Sequence, residues 1–194
     1  MADAPTTDLA GRRVLVGVTG GIAAYKTATV VSRLSQRGCD VRVAMTEAAT
    51  KFVTPLTFEA LSGHPVVTGI WGHYDPGDVQ HINLADRTEV ALIAPCSMDC
   101  LARLAQGHAS DPVTLILSAI DRSKTEVLLA PSMNSVMLAQ PSTQRNLAQL
   151  RDDGYHVLDA ESGWQACRHV GPGRMPEPET LIDVVAEALR RRKP

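Results

Sequence analysis

The chain alternates between short apolar runs and longer stretches in which apolar residues recur every three or four positions. The short runs are rich in valine and leucine, which is typical of buried parallel strands, whereas the longer stretches are typical of amphipathic helices. Strands are predicted over residues 12–18, 40–45, 65–67, 89–94, 126–130 and 155–158. Helices are predicted over residues 22–37, from 46 onward, and over 55–61, 98–106, 112–120, 142–151 (with Ser142 as N-cap) and 179–192.

Strands that alternate with helices form βαβ units, and these units require a parallel sheet. We therefore predict an α/β fold, a doubly wound (Rossmann-like) three-layer sandwich with a parallel sheet of about six strands. A length of 194 residues suits one domain with a sizeable core. The predicted domain spans residues 11–194, follows a flexible N-terminus at 1–10, and carries a flap at 160–178.

Four of the predicted strands end in loops with distinctive sequences. These loops are Thr19-Gly20-Gly21, Thr46-Glu47, Pro95-Cys96-Ser97 and Pro131-Ser132-Met133-Asn134. In open α/β sheets, ligands bind beyond the carboxyl ends of the strands. We therefore expect the four loops to converge on one site.

The first of these loops joins a strand to a helix. Its glycines permit close approach of an anion, and the helix N-terminus attracts one. The spacing matches neither the dinucleotide-binding fingerprint nor the Walker A loop, because Tyr25 rather than glycine precedes Lys26. The loop therefore indicates either phosphate binding or only a tight turn. Thr46 also has two interpretations, since its hydroxyl can hold a phosphate or ribityl group or can cap the next helix.

Residues 163–178 contain three glycines and three prolines in sixteen positions, so we predict a long loop without helix or strand. The loop carries Trp164 and a single cysteine, Cys167, followed by Arg168 and His169. Those cations would favour the thiolate or allow the thiol to act as an acid. The composition thus indicates a substrate flap with a functional thiol. The other three cysteines are interpreted as inert packing residues.

Two further polar residues have both a functional and a structural interpretation. His81 is predicted in the loop before the fourth strand, where a single histidine is more often a surface or core residue than a catalyst. Asn134 follows a strand and can donate two hydrogen bonds to a carboxylate, or it can form a turn or cap a helix. Histidines and cysteines show no ligand spacing, so no metal site is predicted.

The composition excludes several classes of partner. A net charge of −2 gives no reason to expect nucleic acid or an anionic membrane. No apolar run reaches the ~18 residues of a membrane helix. Residues 1–10 lack the features of a signal peptide, so a cytoplasmic protein with reduced thiols is predicted.

Several motifs, taken together and in this order, resemble the flavin-containing cysteine decarboxylase family. The resemblance extends over residues 11–178. The motifs are Gly-Gly-Ile-Ala-Ala-Tyr-Lys at 20–26, Leu-Ser-Gly at 61–63, His-Ile at 81–82, Ala-Pro-Cys-Ser at 94–97, Pro-Ser-Met-Asn-Ser-Val-Met at 131–137, Gly-Trp-Gln-Ala-Cys at 163–167 and Gly-Pro-Gly-Arg-Met at 171–175. The last two are the most specific.

The resemblance implies a role for each matching residue. It implies that Cys167 is the proton donor on the flap, that Asn134 holds the substrate carboxylate, and that His81 is a base or orients the substrate. The residues implied to bind FMN are Gly20, Gly21, Ile22 and Thr46 at the phosphate, with Phe52 and Ser97 along the flavin. The residues implied to bind substrate besides Asn134 are Met137, Ala166, Arg174 and Met175.

The resemblance also implies an activity, which is FMN-dependent decarboxylation of 4′-phosphopantothenoylcysteine to 4′-phosphopantetheine in coenzyme A biosynthesis. It further implies a homo-oligomer, either a trimer or a dodecamer, with FMN between subunits. In many bacteria such a domain is fused to the synthetase that makes its substrate. The sequence stops at Pro194, so we expect that synthetase activity to come from another protein.

Other members of the same fold remain alternatives, namely a peptidyl-cysteine decarboxylase, a flavin prenyltransferase, a pterin reductase or a non-catalytic regulatory relative. The Ala-Cys motif of the flap argues against most of them. The chain departs from the family pattern at four positions, none of which removes a catalytic group. These are Arg168 in place of glycine, Cys96 in place of alanine, Arg87 in place of tryptophan, and Leu138 in place of an aromatic residue.

Overall fold

A computed structural model describes residues 7–71 and 80–192. Its central sheet has five parallel strands in the order β2-β1-β3-β4-β5. These strands are β1 (Arg13–Val18), β2 (Asp40–Met45), β3 (Val90–Cys96), β4 (Glu126–Pro131) and β5 (His156–Val157). The predicted α/β class and the parallel sheet are therefore confirmed, with five strands rather than six.

The predicted strand at 65–67 does not become a sheet member. Only Val67 pairs, through one isolated bridge to Ala44. Pro65 has no N–H to donate, and the N–H of Val66 bonds to the side chain of Glu59 at 3.2 Å. Too few backbone groups are left to extend the pairing beyond one bridge.

The sheet is buried on both faces because each strand alternates its side chains between two hydrophobic clusters. Val14 and Val16 of β1 pack in one cluster, whereas Leu15 packs in the other. In β3, Leu92 packs in the first cluster and Ile93 packs in the second. Full burial of such a side chain stabilises the fold by about 1.5–3 kcal/mol. Two covered faces make the three-layer arrangement that the apolar runs predicted.

Helices cover both faces and lie close to the predicted positions. They are α1 (Ala24–Gln36), α2 (Pro55–Ser62), α3 (Gln80–Arg87), α4 (Met98–Ala105), α5 (Pro112–Ala119), α6 (Ser135–Ala139), α7 (Pro141–Asp152) and α8 (Pro178–Arg191). The segment from Thr46 forms only a 3₁₀ turn, Ala49–Lys51. Thr46 Oγ1 accepts the Ala49 N–H at 3.2 Å, but the N-cap residue of the turn is Ala48, so Thr46 is not the N-cap that one interpretation predicted.

Two predictions about helices were wrong, and one helix was missed. Ser142 lies inside α7, whose N-cap is Gln140, because Pro141 is well suited to the first helical position. His81 lies in α3 rather than in a loop, and only Ala85 of that helix is buried, so the apolar pattern was too weak to predict it. The short helix α6 was also missed, since none of its residues is buried.

Residues 163–178 are not a structureless loop, which corrects the prediction for this segment. They contribute to an antiparallel hairpin of β6 (Glu161–Trp164) and β7 (Val170–Arg174). Its turn is closed by the N–H of Gln165 on the carbonyl of His169 at 2.8 Å and by the N–H of Arg168 on the carbonyl of Gln165 at 2.9 Å. The local glycine and proline content favoured a loop without helix or strand, but backbone pairing across the hairpin outweighs that local preference.

Arg168 occupies a left-handed backbone conformation, with φ of 66°. This position ends a three-residue hairpin loop, where glycine is favoured because it has no Cβ. An arginine here costs about 1–2 kcal/mol in backbone strain. The departure from the family glycine therefore has a structural consequence at the tip of the hairpin.

The hairpin is held against the β4–α6 loop by a close backbone approach at Gly173. The carbonyl of Gly173 accepts the Met133 N–H at 3.0 Å. A Cβ on Gly173 would lie 2.2 Å from the carbonyl oxygen of Met133, and its φ of 119° is left-handed. Only glycine permits this contact, which places the hairpin over the carboxyl end of the sheet.

We predict that Gly173→Ala destabilises the protein more than a glycine substitution in open space. Gly107 is the matched control, because its φ is also positive, at +70°, and a Cβ there would meet no atom within 4 Å. Gly107→Ala should lower the melting temperature by about 2–4 °C, which corresponds to roughly 1 kcal/mol. Gly173→Ala should lower it at least twice as far. Equal decreases, measured by circular dichroism, would contradict the proposed contact.

Candidate active site

Two adjoining clefts open at the carboxyl ends of the strands. They share Gly20, Ser97, Met98 and Met137. Gly20 follows β1 and Ser97 follows β3, and the strand order reverses between these two strands. A reversal of this kind is where ligands bind in open α/β sheets. The predicted convergence of the strand-end loops is therefore observed, although the loops line two neighbouring clefts instead of one.

The first cleft, which we call the flap cleft, has a volume of about 610 Å³. It lies between the start of α1, the β4–α6 loop and the β6–β7 hairpin. The second, which we call the strand-end cleft, has a volume of about 710 Å³ and lies beside residues 46–48, 68–71 and 97–100. The two clefts adjoin at the four shared residues and lie side by side at the carboxyl ends of the strands.

Most of the predicted site residues line these clefts. The predicted residues in the flap cleft, besides the shared ones, are Gly21, Ile22, Asn134, Ala166, Cys167, Arg174 and Met175. Thr46 lines the strand-end cleft. Phe52, half exposed, and His81, half buried on α3, line neither cleft. The structure thus brings together all of the predicted site residues except Phe52 and His81. The individual role of each predicted site residue stays a prediction.

The turn that carries Ser97 is fixed by a buried threonine. Thr19 Oγ1 donates to the carbonyl of Pro95 at 2.6 Å and accepts the Ser97 N–H at 2.9 Å. Thr27, on α1, donates to the carbonyl of Ala94 at 2.7 Å. Sequence analysis assigned no role to Thr19, although a threonine at the end of an apolar strand was the available signal.

The start of α1 is suited to an anion. The helix has no side-chain cap and no acidic residue in its first turn, so its positive dipole end faces the Gly20-Gly21-Ile22 turn without a competing charge. The hydroxyl oxygen of Ser97 accepts the Cys100 N–H at 3.2 Å, as Thr46 does for its own helical turn. Each hydroxyl therefore keeps its hydrogen for an acceptor in the cleft.

Asn134 and Cys167 are in direct contact in the flap cleft. Asn134 Nδ2 donates to Cys167 Sγ at 3.1 Å, whereas Asn134 Oδ1 accepts the Val136 N–H at 2.8 Å and caps α6. The capping interpretation of Asn134 is confirmed, and the cap leaves its amide nitrogen directed at the thiol. The amide of Gln165, which sequence analysis missed, adjoins both side chains.

Cys167 is exposed, whereas the other three cysteines are buried. Burial raises the pKa of Cys39 to about 11. A hydrogen bond with Cys96, together with burial, raises the pKa of Cys100. The raised pKa values keep the thiols of Cys39 and Cys100 protonated at neutral pH. Burial of all three cysteines agrees with their interpretation as packing residues.

Two cations line the flap cleft and share one carboxylate. Lys26 Nζ lies 2.8 Å from Glu177 Oε1, and Arg174 bonds to the same oxygen. The hydrogen bond from Lys26 lowers the pKa of Glu177, so the carboxylate stays ionised at neutral pH. The cluster has a formal charge of +1, and the side chain of Lys26 is only 13% exposed. Sequence analysis placed Lys26 in a motif without assigning it a role.

Within residues 7–71 and 80–192, no group of three or more histidine, cysteine, aspartate or glutamate side chains is arranged to hold a metal ion. In the same part of the chain, no helix has the length and apolar character needed to cross a membrane.

The Flavoprotein family model matches residues 3–190, and the chain therefore belongs to the Flavoprotein family. Over 176 residues it is 43% identical to the coenzyme A biosynthesis bifunctional protein CoaBC of Escherichia coli (strain K12). That match covers 91% of this chain and 43% of the relative, so the chain spans less than half of the relative's length.

Two solved structures are similar over nearly their whole length. The FMN-dependent cysteine decarboxylase SpaF has a TM-score of 0.80 and 30% identity, over 95% of this chain and 98% of that one. A cysteine-to-serine mutant of PPC decarboxylase complexed with pantothenoylaminoethenethiol has a TM-score of 0.81 and 27% identity, over 91% of this chain and 97% of that one. The resemblance to flavin-containing cysteine decarboxylases is confirmed.

Proposed function

We propose that the chain catalyses FMN-dependent decarboxylation of 4′-phosphopantothenoylcysteine to 4′-phosphopantetheine, a step of coenzyme A biosynthesis, in the cytoplasm. The observation that carries the proposal is the 3.1 Å contact between Asn134 and the exposed thiol of Cys167. An amide that can hold a carboxylate and a thiol that can supply a proton are thereby adjacent in one cleft. The similarity to CoaBC and to PPC decarboxylase supports the same reaction.

The residues present fit FMN. The phosphate would bind at the uncapped start of α1, next to Gly20, Gly21 and Ile22, with the hydroxyl of Thr46 as a further donor. Ser97 lies in both clefts and would donate along the flavin. Bound FMN would supply the redox chemistry, namely reversible removal of a hydride from the thiol-bearing carbon, so that a thioaldehyde can accept the electrons left by CO₂.

The side chains of the chain position the substrate and move one proton. Asn134 Nδ2 donates to the substrate carboxylate and orients the bond that breaks. Loss of CO₂ transfers the electron pair of that bond into the thioaldehyde and gives an enethiolate. Cys167 then donates its Sγ hydrogen to the carbon that carried the carboxylate. The hairpin covers this part of the cleft and limits access of water.

Cys167→Ser should bind FMN and release CO₂ but should form product at least about 100-fold more slowly, because a serine hydroxyl is a much weaker acid than a thiol. The dehydrogenated enethiol should accumulate and can be measured by mass spectrometry. Ser162→Ala, at an exposed position of the hairpin, is the control and should behave as wild type. Full turnover by Cys167→Ser would remove the thiol from the mechanism. A folded wild-type protein that takes up no FMN would refute the flavin proposal.

The charge of the flap cleft favours a phosphorylated substrate over a peptide ending in cysteine. Among the described residues that line this cleft, Lys26 and Arg174 are the basic ones, and Glu177 neutralises only one of their two charges. A phosphate dianion would satisfy the remaining charge and gain charge-assisted hydrogen bonds. A peptidyl-cysteine substrate has no such group to offer.

Lys26→Met and Arg174→Met should therefore each raise KM for phosphopantothenoylcysteine by about 10–100-fold, the loss of one charge-assisted hydrogen bond. KM for the dephosphorylated analogue, pantothenoylcysteine, should change little. Lys124→Met is the matched control, since Lys124 is exposed, forms an ion pair with Asp121 and lines neither of the two clefts. FMN content is measured in parallel. An equal loss with both substrates would contradict phosphate recognition by this pair.

We further propose a homo-oligomer, a trimer or a dodecamer, in which His81 and Phe52 act in the site of a neighbouring subunit. Neither residue lines the flap cleft or the strand-end cleft, the two clefts formed by the described residues of the sheet's carboxyl end. The surface also exposes large apolar side chains, which favours association. The most exposed are Ile22, Tyr25, Leu56, Trp71, Val136, Trp164 and Val170.

This proposal predicts complementation between two inactive variants. His81→Asn and Cys167→Ser should each form little 4′-phosphopantetheine as pure oligomers, but after mixing and subunit exchange some sites combine an intact histidine with an intact cysteine. Activity should therefore reappear in the mixture, and light scattering should show an oligomer. A monomeric protein would contradict the proposal, as would a mixture that stays inactive after demonstrated exchange.

A further inference from the structure

Gln165 is a buried polar side chain at the start of the hairpin turn. It is 7% exposed, whereas its neighbour Trp164 is 63% exposed and Cys167 is exposed as well. Burial of an amide without hydrogen bonds is costly, so the partners of Gln165 explain why it is tolerated. Those partners belong to the hairpin itself and to the start of α6.

The two ends of the Gln165 amide face different chemical groups. Nε2 donates to the carbonyl of Pro172 at 2.7 Å and lies 3.5 Å from the carbonyl of Gly171. Oε1 lies 3.4 Å from the backbone N–H of Ser135 and 3.4 Å from Asn134 Nδ2. An amide turned by 180° would place donors against donors and an oxygen against carbonyl oxygens. The orientation is therefore fixed, with Oε1 as an acceptor next to the candidate site.

The thiol of Cys167 lies between an acceptor and a donor. Its Sγ is 3.5 Å from Gln165 Oε1 and 3.1 Å from Asn134 Nδ2. Since Asn134 presents an N–H to the sulfur, the S–H hydrogen is directed to Gln165 Oε1. Three side chains from two segments of the chain thus form a closed triangle, and Gln165 is its only buried member.

We propose that Gln165 is a positioning residue that sets the geometry of Asn134 and holds the acidic hydrogen of Cys167 until the enethiolate requires it. The inference rests on the proposed function. In the protonation step, the S–H bond of Cys167 breaks and a C–H bond forms with the electron pair of the enethiolate. The negative charge moves to Cys167 Sγ, where the N–H of Asn134 stabilises it once CO₂ has left. Before that step, the S–H of Cys167 is held on Gln165 Oε1 at 3.5 Å.

Two variants of similar size test this inference with opposite expected signs. Gln165→Met removes the acceptor and keeps the length, so it should allow the thiolate to form at lower pH. Gln165→Glu keeps an acceptor beside the sulfur and adds a negative charge wherever its carboxyl is ionised, so it should disfavour the thiolate. The readout is the pH midpoint of iodoacetamide alkylation of Cys167 in the purified holoenzyme, located by peptide mass spectrometry. The two midpoints should move in opposite directions by about 0.5–1 pH unit.

Turnover provides the second readout. In Gln165→Met, product formation should fall about tenfold more than CO₂ release, because the misplaced thiol protonates the enethiolate less efficiently. Gln149→Met, a surface glutamine of α7, is the control and should leave both readouts unchanged. FMN content and melting temperature are measured for every variant.

Unchanged alkylation midpoints in both variants, or shifts in the same direction, would overturn the inference, since a merely structural role predicts no opposed shifts. The alkylation experiment requires no turnover. A wild-type protein that releases no CO₂ from phosphopantothenoylcysteine would refute the proposed function. Because alkylation is measured without turnover, the alkylation midpoints would still decide whether Gln165 controls the thiol.

Discussion

The candidate site depends on one close backbone approach, where the hairpin carbonyl of Gly173 accepts the Met133 N–H. Met133 directly precedes Asn134, and the hairpin carries Cys167, so this contact sets the distance between an amide and a thiol that are 33 residues apart in sequence. A two-stranded hairpin alone is marginally stable in water. Its attachment to the end of β4 gives it a rigid support, and the requirement for glycine at 173 follows from that support.

Much of the fold could be predicted because the decisive signals are local. A short continuous apolar run indicates a strand that is buried on both faces. Leu92 and Ile93 are neighbours in such a run, and their side chains pack on opposite faces of the sheet. The predictions failed where tertiary contacts decide the structure. The hairpin forms despite its glycines and prolines, α3 forms with a single buried residue, and the strand predicted at 65–67 is reduced to one bridge at Val67.

The candidate site could be predicted in part, since its residues follow strand ends and match recognisable motifs. Position along the chain placed Ser97 and Asn134 at the carboxyl edge of the sheet. It does not show which cleft a residue faces, and His81 and Phe52 line neither the flap cleft nor the strand-end cleft. Gln165 was missed for a different reason. The role of the Gln165 amide depends on its hydrogen-bond partners. These lie at the start of α6 and in the rest of the hairpin, and no local sequence pattern indicates them.

Comparison of two substrates tests the central claim most directly. Steady-state CO₂ release by the FMN-loaded protein is measured with free 4′-phosphopantothenoylcysteine and with a short peptide that ends in cysteine. In the proposed mechanism, the Asn134–Cys167 contact would serve either substrate, but only the first has a phosphate that Lys26 and Arg174 could bind. We predict a kcat/KM at least about 10–100-fold higher for phosphopantothenoylcysteine. A preference for the peptide, or no CO₂ from either substrate, would contradict the account.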